Sequence, residues 1–187
     1  VCRGEFALAL EHLEHGSALY NIEQHQAHAF VYGQDPGMVC LSWAAWALWF
    51  LGYPDHAQQK CHEALDLARR LAYPYSLAYA LGCAAVFYQF RRNDTAVVTC
   101  AQENIALASE QGFTLWLAAG RTLLGWALAA QGKSVEGMNN IAGGLTAWQE
   151  TGTGFLQSYG CALLSEAYQK TGQVGEGIAV LTEALPL

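Results

Sequence analysis

Charged residues are scarce in this chain of 187 residues. They make up 13% of it, against about 25% in an average soluble protein, and only 9 are lysine or arginine. The formal net charge is −7, so the basic surface that a nucleic-acid phosphate backbone requires is missing. Apolar stretches also stop short of the roughly 18 residues of a membrane span. The composition therefore excludes nucleic acid and membrane as partners.

Signatures of catalysis are missing as well. The 6 cysteines are spread along the chain without a CxxC pair, which is typical of buried free thiols in a cytoplasmic protein. No GxSxG, HExxH or GxxxxGK[ST] motif occurs. The sequence therefore predicts no enzyme and no cofactor.

Histidine, a common metal ligand, clusters near the start of the chain, with Glu11, Glu14 and Glu23 nearby. Four of the 6 histidines fall close together in two i, i+3 pairs, which are His12, His15, His25 and His28. That spacing places two rings on one helix face, so a metal site is an open alternative. Because no HExxH pattern is formed, we favour polar helix faces and predict no metal.

What the chain does contain is a repeat of 40 residues. Helix-ending segments recur in the same phase, at Gly52, Arg92, Gly132 and Gly172. Aliphatic residues recur between them, at Leu65, Ile105, Leu145 and Leu185. Small or β-branched residues do so as well, at Ala57, Val97, Gly137 and Gly177. Small side chains at fixed points let helices approach closely, as a stacked helical array requires.

Each repeat predicts two helices. The first helices are expected at 38–51, 75–91, 115–131 and 155–171, and the second helices at 54–71, 94–111, 134–151 and 174–185. Residues 1–20 match a second helix alone, and residues 21–37 form a connector. We therefore predict an all-α superhelix of about nine helices in antiparallel pairs. It would form one domain over 1–187, with repeats at 38–73, 74–112, 113–152 and 153–187, cut from a larger protein.

The small residues of each repeat follow the tetratricopeptide (TPR) pattern. The first full repeat carries Ala45, Gly52, Ala57 and Ala64, and the third carries Gly125, Gly132, Gly137 and Gly144. The second repeat departs most, with Arg92 in place of glycine. The chain thus resembles TPR-like helical domains. Several segments also resemble the C-terminal repeat regions of bacterial adenylate/guanylate cyclase–ATPase signalling proteins, namely 12–16, 25–30, 32–37 and 48–54.

This resemblance implies a non-catalytic protein–protein interaction or regulatory scaffold module of a bacterial signal-transduction protein. Its partner would be a protein, a peptide or another domain of the same chain, and self-association through open repeat ends is a further possibility. The first helices of TPR arrays line a concave groove. The matching aromatic residues here are Trp46, Trp49, Phe50, Tyr79, Phe90, Trp126 and Tyr159.

Two alternatives stay open for these aromatic residues. The groove could hold a small-molecule effector instead of a peptide, which would make the module a sensor. The rings could also be buried between repeats as core, which is the interpretation we favour for Trp43 and Trp116.

Overall fold

The computed structural model describes residues 1, 3–25, 27–154 and 156–184. Over these residues it is all-α, with no strand. The helices are α1 (Phe6–Leu19), α2 (Ile22–His25), α3 (His28–Tyr32), α4 (Pro36–Phe50), α5 (Pro54–Leu71), α6 (Pro74–Phe90), α7 (Asp94–Gln111), α8 (Thr114–Ala130), α9 (Ser134–Glu150), α10 (Gln157–Lys170) and α11 (Val174–Ala184). The predicted fold class is confirmed. The described part of the chain has eleven helices where about nine were expected, because the connector folds into α2 and α3.

The second helices of the repeats follow the predicted bounds closely. α5 and α7 begin and end where the sequence places them. α5 starts at Pro54, whose missing N–H costs nothing in the first turn. α7 is capped by the Asn93 side chain, which accepts a hydrogen bond from the backbone N–H of Ala96 at 3.1 Å. It ends at Gly112 in the left-handed region, with φ +73°.

The first helix of the first full repeat begins two residues before its predicted start. Asp35 is fully buried and accepts a hydrogen bond from the backbone N–H of Met38 at 2.8 Å, so it caps α4. Its carboxylate also accepts from the Tyr20 hydroxyl at 2.8 Å, and its own N–H donates to the Ser76 hydroxyl at 3.1 Å. These bonds fix the end of the connector.

The chain divides into two compact units, Val1–Phe87 and Tyr88–Leu187. In the first unit, α1 packs against α4, and α4 packs against α5. Its core is built from large residues with no exposed surface, such as Met38, Leu81 and Phe87, and from alanines at the helix contacts, such as Ala45 and Ala57.

In the second unit each helix from α7 to α11 packs against the next one along the chain. Glycines set the closest approach of α8 and α9. A Cβ atom on Gly125 would lie 2.6 Å from the backbone oxygen of Gly137 and 2.8 Å from Ile141. The backbones of α8 and α9 therefore lie in close contact, as the 40-residue pattern of small residues predicts.

Among the described residues, the helices are either too short or too polar to cross a lipid bilayer.

Candidate functional site

The second unit gathers three of the seven predicted groove residues in one place. Phe90 lies at the end of α6, Trp126 lies in α8, and Tyr159 lies in α10. All three helices are first helices of their repeats, as the resemblance implies. Polar residues join them, and we call the whole set the Arg92 cluster. Its members are Gln89, Phe90, Arg92, Trp126, Tyr159, Glu166 and Lys170.

An ion pair forms the centre of the Arg92 cluster. Nη1 of Arg92 donates to both carboxylate oxygens of Glu166, at 2.6 Å to Oε1 and 2.7 Å to Oε2. The Trp126 indole N–H donates to Oε2 at 3.3 Å, and Nζ of Lys170 lies 3.7 Å from Oε1. Glu166 therefore binds two cations and one neutral donor at once.

The aromatic members support this ion pair. The guanidinium carbon of Arg92 lies 5.7 Å from the centre of the Trp126 ring, in cation–π range. The Tyr159 hydroxyl donates to Oε1 of Gln89 at 2.9 Å. Phe90 meets the Tyr159 ring edge-on, with centroids 5.9 Å apart. The indole N–H of Trp126 and the hydroxyl of Tyr159 are thus both hydrogen-bonded. The Arg92 side chain is held by Glu166 on one side and by the Trp126 ring on the other.

The pKa values of the cluster fit this pairing. Burial raises the pKa of Glu166, but the hydrogen bond and charge of Arg92, with Trp126 and Lys170, outweigh it, so the net pKa lies below 4.5. Glu166 is thus ionised at neutral pH. Burial raises the pKa of Tyr159 well above its usual range. Its hydroxyl therefore remains a neutral donor to Gln89.

Exposure differs sharply within the cluster. Trp126 is 2% exposed and Gln89 is 5% exposed, whereas 62% of the Arg92 side chain and 25% of the Glu166 side chain are exposed. Phe90 and Tyr159 are half-buried. Arg92 is therefore exposed at the surface of the cluster, and Trp126 is buried beneath it.

The backbone at Arg92 is unusual in the same turn. Arg92 has φ +56°, in the left-handed region that a side chain disfavours. The residues at the same register position are Gly52, Gly132 and Gly172, with φ values of +86°, +87° and +77°. The sequence pattern marked Arg92 as a departure from the repeat but did not assign it to the groove. The signal that could have identified Arg92 is its position in the sequence. It is an arginine at a turn position where the other repeats have glycine, because this turn requires a positive φ.

The other four predicted groove residues lie in the first unit. Trp46 is 5% exposed, and its indole N–H donates to the backbone oxygen of Cys83 at 3.0 Å. The Tyr79 hydroxyl accepts from the indole N–H of Trp43 at 2.7 Å, and the Trp43 and Trp46 rings lie 5.1 Å apart. Trp46 and Tyr79 are thus linked through Trp43, which the sequence assigned to packing.

Trp49 and Phe50 each have an aromatic neighbour. Trp49 meets Phe87 edge-on, with centroids 6.1 Å apart. Phe50 is 48% exposed and stacks on Phe6 of α1 at 4.7 Å. A binding role for these first-unit residues stays a prediction.

The four clustered histidines do not converge on one point. His12 and His15 are exposed on α1, whereas His25 and His28 stack on each other at 5.1 Å. Nδ1 of His25 accepts the backbone N–H of Asn21 at 2.9 Å. Across the described residues, no group of three or more His, Cys, Asp or Glu side chains could hold a metal ion.

Solved structures with TPR-like repeats are similar to the whole chain. Two crystal structures of nearly identical TPR-like repeats from a candidate kinesin light chain of Podosopora anserina match it, and one of them is a point variant of that protein. The variant matches with a TM-score of 0.62 at 17% identity over 97% of this chain and 86% of that one. The other has a TM-score of 0.56 at 17% identity, over 97% and 92%.

Two comparisons by sequence gave no match. No protein-family model matches the chain, and no curated protein matches it. Since the structural likeness is at 17% identity, it concerns the fold alone. The chain has a TPR-like fold of successive helix pairs.

Proposed function

We propose that this chain is a non-catalytic interaction module that binds a peptide segment of a protein partner along its first helices. The observation that carries the proposal is the Arg92 cluster. An exposed arginine stands beside two half-buried aromatic rings, Phe90 and Tyr159, on the helices that a TPR-like fold uses for binding. Buried aromatic residues and arginine are common anchors of protein interfaces.

The setting we propose is a regulatory scaffold in a bacterial signal-transduction protein of the adenylate cyclase–ATPase kind. Support comes from the resemblance of segments 12–16, 25–30, 32–37 and 48–54 to such proteins. The complete open reading frame that encodes this chain tests this setting. A cyclase, kinase or ATPase motif encoded in the same frame is expected, and a complete frame without one would contradict this setting.

The Arg92 cluster favours a peptide over an enclosed small molecule. The Trp126 indole N–H, the Tyr159 hydroxyl and Oε1 of Gln89 are already paired within the protein, so no ligand is needed to satisfy them. Arg92 itself points a mostly exposed side chain outward. An open surface with one charged anchor suits an extended segment that also contacts neighbouring rings.

Selection from a displayed peptide library tests the module. The affinity of the selected peptides would be measured by isothermal titration calorimetry for the wild-type chain and for the variants Phe90→Ala and Tyr159→Ala. Both changes should weaken binding, Phe90→Ala by about tenfold or more, because rings at interface centres carry much of the binding energy. Val135→Ala is the matched control, since Val135 is 67% exposed on the second helix α9.

Two results would contradict the proposal. One is a set of selected peptides whose affinity falls with Val135→Ala but not with Phe90→Ala. The other is a metabolite screen in which a small molecule raises the melting temperature and displaces no peptide, which would favour the effector-sensing alternative.

A further inference from the structure

A cavity of about 460 Å³ opens in the first unit, beside the connector. We call it the α5 pocket, because four of its residues lie on α5. Its apolar lining comes from Ile22, Leu41 and Leu67. Its polar lining comes from Tyr20, Glu63, Asp66 and Arg70. Pockets of about 300–1,000 Å³ with an apolar lining and a few polar groups are typical of small-molecule sites.

Tyr20 forms a fixed wall of the α5 pocket. Its hydroxyl donates to Oδ2 of Asp35 at 2.8 Å. Its ring packs against the backbone of α4 at Gly37, where an added Cβ atom would lie 2.6 Å from the ring. Asp35 also accepts the backbone N–H of Met38 at 2.8 Å. The Tyr20 hydroxyl is thus already used, and the ring offers a ligand an apolar surface.

Charges of both signs lie on one face of α5. Glu63, Asp66, Leu67 and Arg70 are three or four residues apart, which places their side chains side by side. Glu63 is paired with Nζ of Lys60 at 2.7 Å. Asp66 and Arg70 are exposed, and within the described part of the chain neither has a hydrogen-bond or ion-pair partner.

Arg70 reaches the connector side of the pocket. Burial and the hydrogen bond to Asp35 raise the pKa of Tyr20 well above its usual range, and the positive charge of Arg70 acts against them. The charges are balanced, because Lys60 offsets Glu63 and one carboxylate, that of Asp66, faces one guanidinium. The pocket therefore suits a ligand that carries one charge of each sign.

The charged pair is specific to this repeat. One period along the chain, Asp66 is matched by an uncharged residue, Ala106, and Arg70 is matched by Glu110 and then by Glu150. The connector that supplies Ile22 also interrupts the 40-residue period. A solvated helix face would explain Asp66 and Arg70 alone, but it would not explain why they border an apolar cavity.

We propose that the α5 pocket binds a small zwitterion with an apolar side chain, an apolar α-amino acid or a dipeptide of such residues. Arg70 pairs with its carboxylate, and Asp66 pairs with its ammonium group. Ile22, Leu41 and Leu67 contact its apolar side chain. This site goes beyond the proposed peptide surface, since none of its residues belongs to the Arg92 cluster.

Five compounds test the site on the full chain. They are leucine, leucyl-leucine, leucinamide without a carboxylate, N-acetylleucine without an ammonium group, and glycine without an apolar side chain. Binding is followed by NMR titration of the backbone N–H groups of Ile22 and Leu67. Leucine or leucyl-leucine should bind about tenfold or more tighter than the other three, because each of these lacks one of the contacts. The tighter of the two separates an amino acid from a dipeptide.

Three variants assign the contacts. Arg70→Gln should make leucine bind no tighter than leucinamide, and Asp66→Asn should make it bind no tighter than N-acetylleucine. Arg69→Gln is the matched control, since Arg69 is the neighbouring exposed arginine of α5 and does not line the pocket. It should leave the affinity for leucine unchanged. All three side chains are exposed, so the melting temperatures without ligand should stay close to that of the wild-type chain.

Three outcomes overturn the inference. The first is equal binding of leucine, leucinamide and N-acetylleucine, or no binding of the five compounds at millimolar concentration. The second is an equal loss of affinity in Arg69→Gln and Arg70→Gln. The third is a set of shifts confined to the Trp126 indole and its neighbours, which would place the small molecule at the Arg92 cluster. The peptide-library selection decides the interaction module independently of these results.

Discussion

The two units use the same kind of aromatic residue in different ways. In the first unit two indole groups donate to neutral acceptors, Trp43 to the Tyr79 hydroxyl and Trp46 to the backbone oxygen of Cys83. In the second unit the indole of Trp126 donates to a carboxylate that also binds an exposed arginine. An aromatic residue at the same repeat position can therefore serve packing in one unit and support a charged site in the other.

This difference shows where a functional site can be recognised in a repeat protein. Trp46 and Trp126 are separated by two periods and are both almost fully buried. What distinguishes them is the non-periodic residue beside them. Arg92 stands where the first unit has Gly52, and Glu166 stands where it has Trp46, so the departures from the repeat carry more information than the repeat itself.

The strongest test of this comparison is the removal of Trp46. Trp46→Ala should lower the free energy of unfolding by about 3–5 kcal/mol, because it leaves a large cavity in the first unit. Chemical denaturation followed by circular dichroism measures the change. Phe50→Ala is the control, since Phe50 is 48% exposed and should cost less. A small loss for Trp46→Ala together with weaker peptide binding would instead make Trp46 a binding residue.

The next test concerns how closely the helix pairs approach. The first unit has Ala45 and Ala57 at the positions where the second unit has Gly125 and Gly137. Gly125→Ala places a Cβ atom 2.6 Å from the backbone oxygen of Gly137. It should therefore destabilise the chain by about 1–3 kcal/mol, as overpacking does.

Gly143 provides the control for this change. It lies in α9 with no atom within 4 Å of its added Cβ, so Gly143→Ala should stabilise the helix by about 0.5–1 kcal/mol. Thermal unfolding of both variants measures the two effects. Equal behaviour of Gly125→Ala and Gly143→Ala would show that the second unit does not depend on backbone contact between α8 and α9.

The smallest expected effect is the pH dependence of the Glu166 contacts. The folded pKa of Glu166 lies below its ordinary value of 4.5, so its contribution is present above pH 4.5 and is lost as the pH falls through the folded pKa. Wild-type protein should exceed Glu166→Gln in stability by at most about 1 kcal/mol near pH 7, because Arg92 is largely exposed.

Denaturation of both proteins from pH 7 downwards measures this difference. We expect it to shrink to zero at low pH, when Glu166 is protonated. A difference that stays constant with pH would mean that the carboxylate charge contributes nothing, and that Glu166 acts through its shape alone.

Much of the fold could be predicted from the sequence because its causes are local. Pro54 starts α5, and Gly112 ends α7. Each signal acts within one turn of helix, so the bounds followed without knowledge of the neighbours. The connector was harder to predict, since α2 and α3 are only four and five residues long and show no helical periodicity of their own.

The site could be predicted only in part. The resemblance to TPR arrays implied the aromatic positions Phe90, Trp126 and Tyr159, and the structure places them together. Arg92 and Glu166 are 74 residues apart, so no local pattern links them. Their contact depends on how the end of α6 aligns with α8 and α10.

The sequence by itself determined the 40-residue period, the helical class and most helix ends, because glycine, proline and small residues act on the backbone next to them. The tertiary structure alone decided that Glu166 meets Arg92 and that Trp126 lies beneath the pair. The physical reason is that an ion pair and a cation–π contact require distances of a few ångströms between side chains, which only the packing of separate helices provides.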